Sequence, residues 1–227
     1  MTQEHATPEA PQVTVRGTGR LEVDPELARI SVTVSVRGTD RSATLAELTR
    51  RNARVLDLVK ALGGAVEKLE TGGFSISPEL GKRGRGERVR AHAGRVRLTV
   101  ELTDFTVLGD LVTRLGDLEL TRVEGPWWAL RPDSPVHAEA RRLAVTEAVR
   151  QARAYAEALG TSLSALLELS DAGSPEAMGA GHPALHMRRV SYTAEETEGM
   201  PPLDLEPQRQ TVTAEVVARF TMRPPAL

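Results

Sequence analysis

The 227-residue chain has no cysteine, which excludes thiol catalysis, disulfides, thiolate zinc sites and cysteine-held iron–sulfur clusters. Aromatic residues are scarce, with two Trp, two Tyr and three Phe. Charge of one sign is also missing: 29 basic and 31 acidic residues leave a formal net charge of -2, so no global field draws nucleic acid or an anionic membrane. Only 3 of the basic residues are lysine and 26 are arginine. No apolar run reaches the ~20 residues of a membrane-spanning helix. The opening MTQEHATPEAPQ lacks the basic region and apolar run of a secretory signal. As written, that points to a cytoplasmic protein, and to a periplasmic or extracellular one if the precursor carries a further leader.

What is present is period. Residues 1–11 read as a disordered lead and 223–227 as a tail, flanking one domain over 12–222. VTVRGTGRLEV alternates as a strand whose Gly17 and Gly19 suggest a bulge, and LARISVTVSV puts Ile30, Val32, Val34 and Val36 on one face. Asp40 or Ser42 can cap a helix bearing Leu45, Leu48, Asn52, Val55, Leu56, Val59 and Leu62 inward, with Gly63 and Gly64 at its end. FSISPEL and RVRLTVEL read as strands of a hairpin, Phe105 to Leu115 as a shorter helix, and ELTRVEGPWWAL as a strand. From Leu27 to Leu130 the order is strand, helix, strand, strand, helix, strand, a ferredoxin-like βαββαβ unit in an α+β fold with a mostly antiparallel sheet.

Additions extend that unit: the N-terminal strand, a long Ala-rich helix and C-terminal strands. Ser134 fits an N-cap, Pro135 the first helical position and Gly160 the stop. Ala140, Ala144, Ala148, Ala152 and Ala156 recur every four residues, a ridge of small side chains that lets another element approach closely. The ridge packs either on the chain's own sheet or, at Ala144 and Ala148, on another subunit. LSALLELS and TVTAEVVARFTM are strands, separated by a long mobile loop over 171–206.

VTVRGTGRLEVDPELARISVTV resembles the opening of the SIMPL domain, a domain of unknown function, with Gly17, Gly19, Pro25 and Ala28 matching and Glu26 in place of the usual Asp. The resemblance runs on through Asn52, through LETGGFSISPEL with Thr71 and Pro78, and through the Ala-spaced helix ending in Leu-Gly, covering roughly residues 12–222. It implies an α+β fold, a tendency of some bacterial members to assemble into rings or larger oligomers, and an association with envelope and oxidative-stress phenotypes. It carries over no catalytic residue.

Enzyme motifs are sought without success: there is no Gly-x-Ser-x-Gly, Walker loop, His-Glu-x-x-His or Ser-x-x-Lys. The expectation is a non-enzyme without a cofactor. His182 and His186, four apart with Met178, Met187 and Met200 nearby, are weak candidates for a soft metal, the basis of an alternative reading as a ligand- or metal-binding stress protein. Trp127 and Trp128 point to opposite strand faces; burial of both beneath covering helices is the expectation, with an exposed one serving as an interface anchor. GKRGRGERVRAHAGRVR carries Arg83, Arg85 and Arg88 but no aromatic residue, so it reads as an arginine-rich hairpin, not a single-strand grip. Its acidic counterpart would be Glu195, Glu196, Glu198, Asp204 and Glu206, in the same chain or another. The expected partners are a second copy of the chain or another protein, without nucleic acid.

Overall fold

The structure is a computed structural model that describes residues 7–81, 89–173 and 203–226. Arg83, Arg85, Arg88, His182, His186 and most of the 171–206 loop lie outside the described residues. The fold is α+β, the described residues forming three α-helices and seven strands in two antiparallel sheets. The chain divides into two compact units. One spans Asp24–Arg131 and takes in described residues 203–209; the other joins the residues before Asp24, those from Pro132 to 173 and those from Gln210.

The first unit contains β2 (Leu27–Gly38), α1 (Arg41–Lys60), β3 (Val66–Leu80), β4 (Val89–Leu102), α2 (Leu108–Gly116) and β5 (Thr121–Ala129). Its sheet runs β3-β4-β2-β5, antiparallel throughout, the order of a ferredoxin-like unit. Alternation builds the core: Ala28, Ile30, Val32, Val34 and Val36 from β2 and Val96, Leu98, Val100 and Leu102 from β4 meet Leu48, Val55 and Val59 of α1 and Leu108, Leu111 and Leu115 of α2. The other face of β4 bears the exposed Arg95 and Arg97, as a solvated sheet face requires, and Glu101, held by Arg29 at 2.7 Å.

Asp40 caps α1 by accepting from the Ala43 N–H at 2.7 Å. Leu45 does not join the core, being 43% exposed. Thr44 faces the sheet instead, its hydroxyl donating to the Asp40 carbonyl. α2 begins at Leu108, three residues later than the apolar spacing predicts. Asp104 accepts both the Thr106 N–H at 2.9 Å and its hydroxyl at 2.6 Å, a local turn that competes with the helix. β3 begins eight residues before FSISPEL, and a register shift between Thr71 and Gly73 absorbs the glycine pair that obscured the strand.

The second unit contains β1 (Gln12–Val23), α3 (Pro135–Ala158), β6 (Leu163–Asp171) and β7 (Gln210–Met222), with sheet order β1-β7-β6. Ser134 caps α3, Pro135 occupies its first turn and Gly160 follows its end at φ 67. The alanine ridge from Ala140 to Ala156 is 0–1% exposed. It lies on β1, where Cβ atoms built on Gly17 would stand 2.6 Å from the Ala148 nitrogen, and on Gly19 2.7 Å from the Ala144 nitrogen. One expectation is thereby corrected and one open alternative decided. Gly17 and Gly19 form no bulge, since β1 pairs with β7 without interruption from Gln12 to Val23. Ala144 and Ala148 are covered by the chain's own β1, so they are not free to meet another subunit.

Candidate assembly surfaces

Titratable groups come first in a search for chemistry. The carboxylates displaced from their ordinary values, Glu47, Asp104, Glu139 and Glu147, are all lowered. The causes are local donors: Arg50 and then Arg51 for Glu47, Thr106 for Asp104, Arg142 for Glu139. Glu147 is drawn down to about 2 by Arg150 and Gln151. These are helix-surface ion pairs and a turn, which hold carboxylates charged. A general acid needs the opposite shift. Among the described residues no three His, Asp or Glu side chains group as metal ligands.

What the surface presents instead is apolar side chains at sheet edges. β6 pairs only with β7, leaving its second edge unpaired among the described residues. The register sets Leu166 beside Phe220 and Leu169 beside Ala218, on the face that α3 covers. Phe220 and Ala218 are buried, yet Leu166 is 53% and Leu169 47% exposed, because α3 packs over β1 and β7 and barely reaches β6. Between β6 and α3 lies an open groove of about 480 Å3, lined by Val149, Ala156, Leu163, Leu166 and Phe220. Tyr155 and Leu159, at the C-terminal end of α3, are also exposed. At the opposite edge, Leu21 and Val23 of β1 line a groove of about 490 Å3 with Pro135, Val136 and Ala138 of α3.

In the ferredoxin-like unit, Trp128 packs edge-on against Phe105 with ring centroids 4.9 Å apart and touches the core. Trp127 stands on the open face opposite Arg29 and is 39% exposed, so burial of both tryptophans does not hold. β5 is an edge strand, and among the described residues no helix covers that face. Phe74, at 57% exposure, sits on the other edge strand, β3, and Leu120, at 59%, adopts φ 55 just before β5. Periodicity in LSALLELS and FSISPEL flags apolar strand faces, but nothing in the sequence marks Leu166, Leu169, Phe74 or Leu120 as exposed.

A family profile described as "SIMPL: Protein of unknown function (DUF541)" matches residues 13–220. The chain belongs to the SIMPL family. The SIMPL match spans both units, so the resemblance seen in Gly17, Gly19, Pro25 and Ala28 extends over nearly the whole sequence. Among curated SIMPL-like relatives, the 26 kDa periplasmic immunogenic protein of Brucella melitensis is 24% identical over 182 residues, 74% of this chain and 70% of that protein. The uncharacterized protein YggE of Edwardsiella ictaluri is 20% identical over 157 residues, 69% of this chain and 66% of that one. A solved structure titled a putative amidohydrolase/peptidase, from Burkholderia cenocepacia, shares 17% identity and a TM-score of 0.26, covering 65% of this SIMPL chain and 34% of its own. That overlap is too slight to carry a shared fold or activity. Among the described residues no helix is long and apolar enough to cross a membrane.

Proposed function

We propose that this SIMPL protein acts without catalysis, by assembling with copies of itself or binding a protein partner. The observation that carries the reading is the edge of β6, unpaired among the described residues, where Leu166 and Leu169 face the helix side of their sheet and α3 barely reaches them. Long edge strands with exposed apolar residues template further pairing, and monomers ordinarily blunt them with Lys, Pro or a cover. LSALLELSD has neither Lys nor Pro, and its charges, Glu168 and Asp171, and its two register shifts leave Leu166 and Leu169 exposed. Trp127 supplies a second anchor type, a large aromatic on an open face.

Light scattering on the size-fractionated full chain tests the proposal, with more than one chain per particle as the expected result. A single-chain mass at every concentration, together with no partner retained by the immobilised full chain, would refute it. The relatives named periplasmic support a role in the cell envelope, in line with the family's association with envelope and stress physiology. Fractionation of cells expressing the native gene checks this, and a purely cytosolic pool would overturn it.

A further inference from the structure

The open face of the sheet β3-β4-β2-β5, away from α1 and α2, carries charge that its own residues do not neutralise. Each acid that the strand registers place there is held by a neighbouring cation. Glu101 is met by Arg29 at 2.7 Å, Glu79 by Arg37 at 2.6 Å, Glu70 by Lys68 at 3.0 Å and Glu124 by Arg122 at 2.8 Å. Arg95 and Arg97 are left over: both are exposed, and neither forms an ion pair among the described residues. They stand two residues apart on the middle strand β4, so they share a face with Cα atoms roughly 6.7 Å apart. Arg95 lies between Ser35 and Ser75, and Arg97 between Thr33 and Gly73, short neighbours above which the guanidinium groups project. The unpaired stretch ends at Ala93 in one direction and, beyond Thr99, at Glu101 in the other.

We infer that this face binds an extended acidic segment of a partner protein, two carboxylates of which, spaced two residues apart, sit on Arg95 and Arg97. The inference rests on the partner-binding reading above and specifies the partner's chemistry. An extended chain repeats its side chains on one face at the same spacing as β4, so alternate acids meet both arginines without bending. Guanidinium groups donate to carboxylates in pairs, and the Ser35 and Ser75 hydroxyls flank the same row. Glu101 repels a third acid, which limits the match to two. Single-stranded nucleic acid fits less well, because sheet faces that bind it stack bases on aromatic residues of the central strands. Here β2 and β4 present arginines and hydroxyls, and Trp127 lies on the edge strand β5 opposite Arg29.

Fluorescence anisotropy of labelled synthetic peptides with the full chain at low salt provides the test. Thr-Thr-Glu-Thr-Glu-Thr-Thr, whose threonines favour extension, puts both carboxylates on one face, whereas Thr-Thr-Glu-Glu-Thr-Thr-Thr puts them on opposite faces. The first should bind about fivefold more tightly, the worth of one further exposed ion pair, and added salt should weaken it. Arg95→Ala/Arg97→Ala should weaken it about tenfold, both pairs being lost. Arg41→Ala/Arg54→Ala removes the same charge from exposed positions on α1, across the sheet, and should leave binding unchanged; circular dichroism checks that each variant folds. Equal binding of the two peptides, equal loss in the two variants, or tighter binding of a single-stranded uridine oligonucleotide would overturn the inference. Absence of peptide binding would overturn it too and leave the proposed function standing wherever light scattering still shows particles of several chains or the immobilised chain still retains a partner. Single-chain mass with no partner retained would remove that reading and the inference with it.

Discussion

Replacing Gly17 with alanine adds one carbon where there is no room. A Cβ at that position stands 2.6 Å from the Ala148 nitrogen and 2.8 Å from the Ala148 Cβ, and the Ala144 carbonyl oxygen is closer still. Carbon contacts settle at about 3.5–4.0 Å, so α3 and β1 must part by roughly 1 Å. A flexible side chain could turn aside, but here the obstacles are mostly backbone atoms of a 24-residue helix. Overpacking costs about 1–3 kcal/mol, and a rigid obstacle places Gly17→Ala at the upper end. Reduced freedom of the unfolded chain returns about 0.5–1 kcal/mol, leaving a net loss of about 2 kcal/mol. Ala148→Gly should not rescue it, since the Ala144 carbonyl remains in place. Gly19→Ala should behave alike, and the two together should cost less than their sum, because one displacement of α3 relieves both. Urea unfolding followed by far-ultraviolet circular dichroism measures the loss. Gly73→Ala is the control, with nothing within 4 Å of the added carbon and an expected change within about 0.5 kcal/mol. A Gly17→Ala protein as stable as that control would refute the close-contact account of α3 and β1.

Three further outcomes follow from other residues. Leu120 holds φ 55 with its side chain in solvent, a conformation that costs a non-glycine residue about 1–2 kcal/mol; Leu120→Gly should therefore raise the urea midpoint, and a lowered midpoint would mean the leucine is held by contacts stronger than the strain. The Asn52 side-chain oxygen is buried without a hydrogen-bond partner among the described residues, so Asn52→Leu, nearly isosteric and apolar, should stabilise by about 1 kcal/mol, and a loss in chemical denaturation would contradict the unpaired state. Glu147 is lowered from 4.5 to about 2 by Arg150 and Gln151, so its contribution to folding is complete above pH 4.5 and lost as pH falls through 2. Carboxyl carbon resonances should place its titration near that lower value, and a midpoint near 4.5 would show that the ion pair does not form in solution.

Much of the fold was legible because its determinants are local. Asp40, Ser134 and Gly160 mark helix ends by chemistry that acts within four residues, and the alternation from Ile30 to Val36 selects a buried face wherever the strand lies. The sheet order followed from connectivity, since two split βαβ halves have few alternatives. Where the reading failed, a neighbour decided. Gly17 and Gly19 look the same in sequence whether they form a bulge or admit a helix, and only the α3 backbone beside them distinguishes the two. Trp127 and Trp128 were correctly assigned to opposite faces, but which face lacks a covering helix is a property of the whole unit. Leu45 obeys the helical period and yet stays in solvent, because Thr44 takes the position over the sheet.

The candidate surface was hidden for the same reason, and the Gly–Ala contact explains it. LSALLELS reads as a strand with one apolar face, and a covered strand would read identically. Coverage depends on where α3, the one helix among the unit's described residues, settles over a three-stranded sheet. A helix is about 10 Å across and strands lie about 4.8 Å apart, so α3 can shield roughly two strands and must leave one partly bare. The alanine ridge decides which. It gains its closest approach where the sheet also lacks side chains, and Gly17 and Gly19 lie on β1, whereas β6 contains no glycine. The helix is accordingly drawn over β1 and β7, leaving Leu166 and Leu169 beyond its reach. The small residues that bind α3 to one edge of the sheet therefore also expose the other edge.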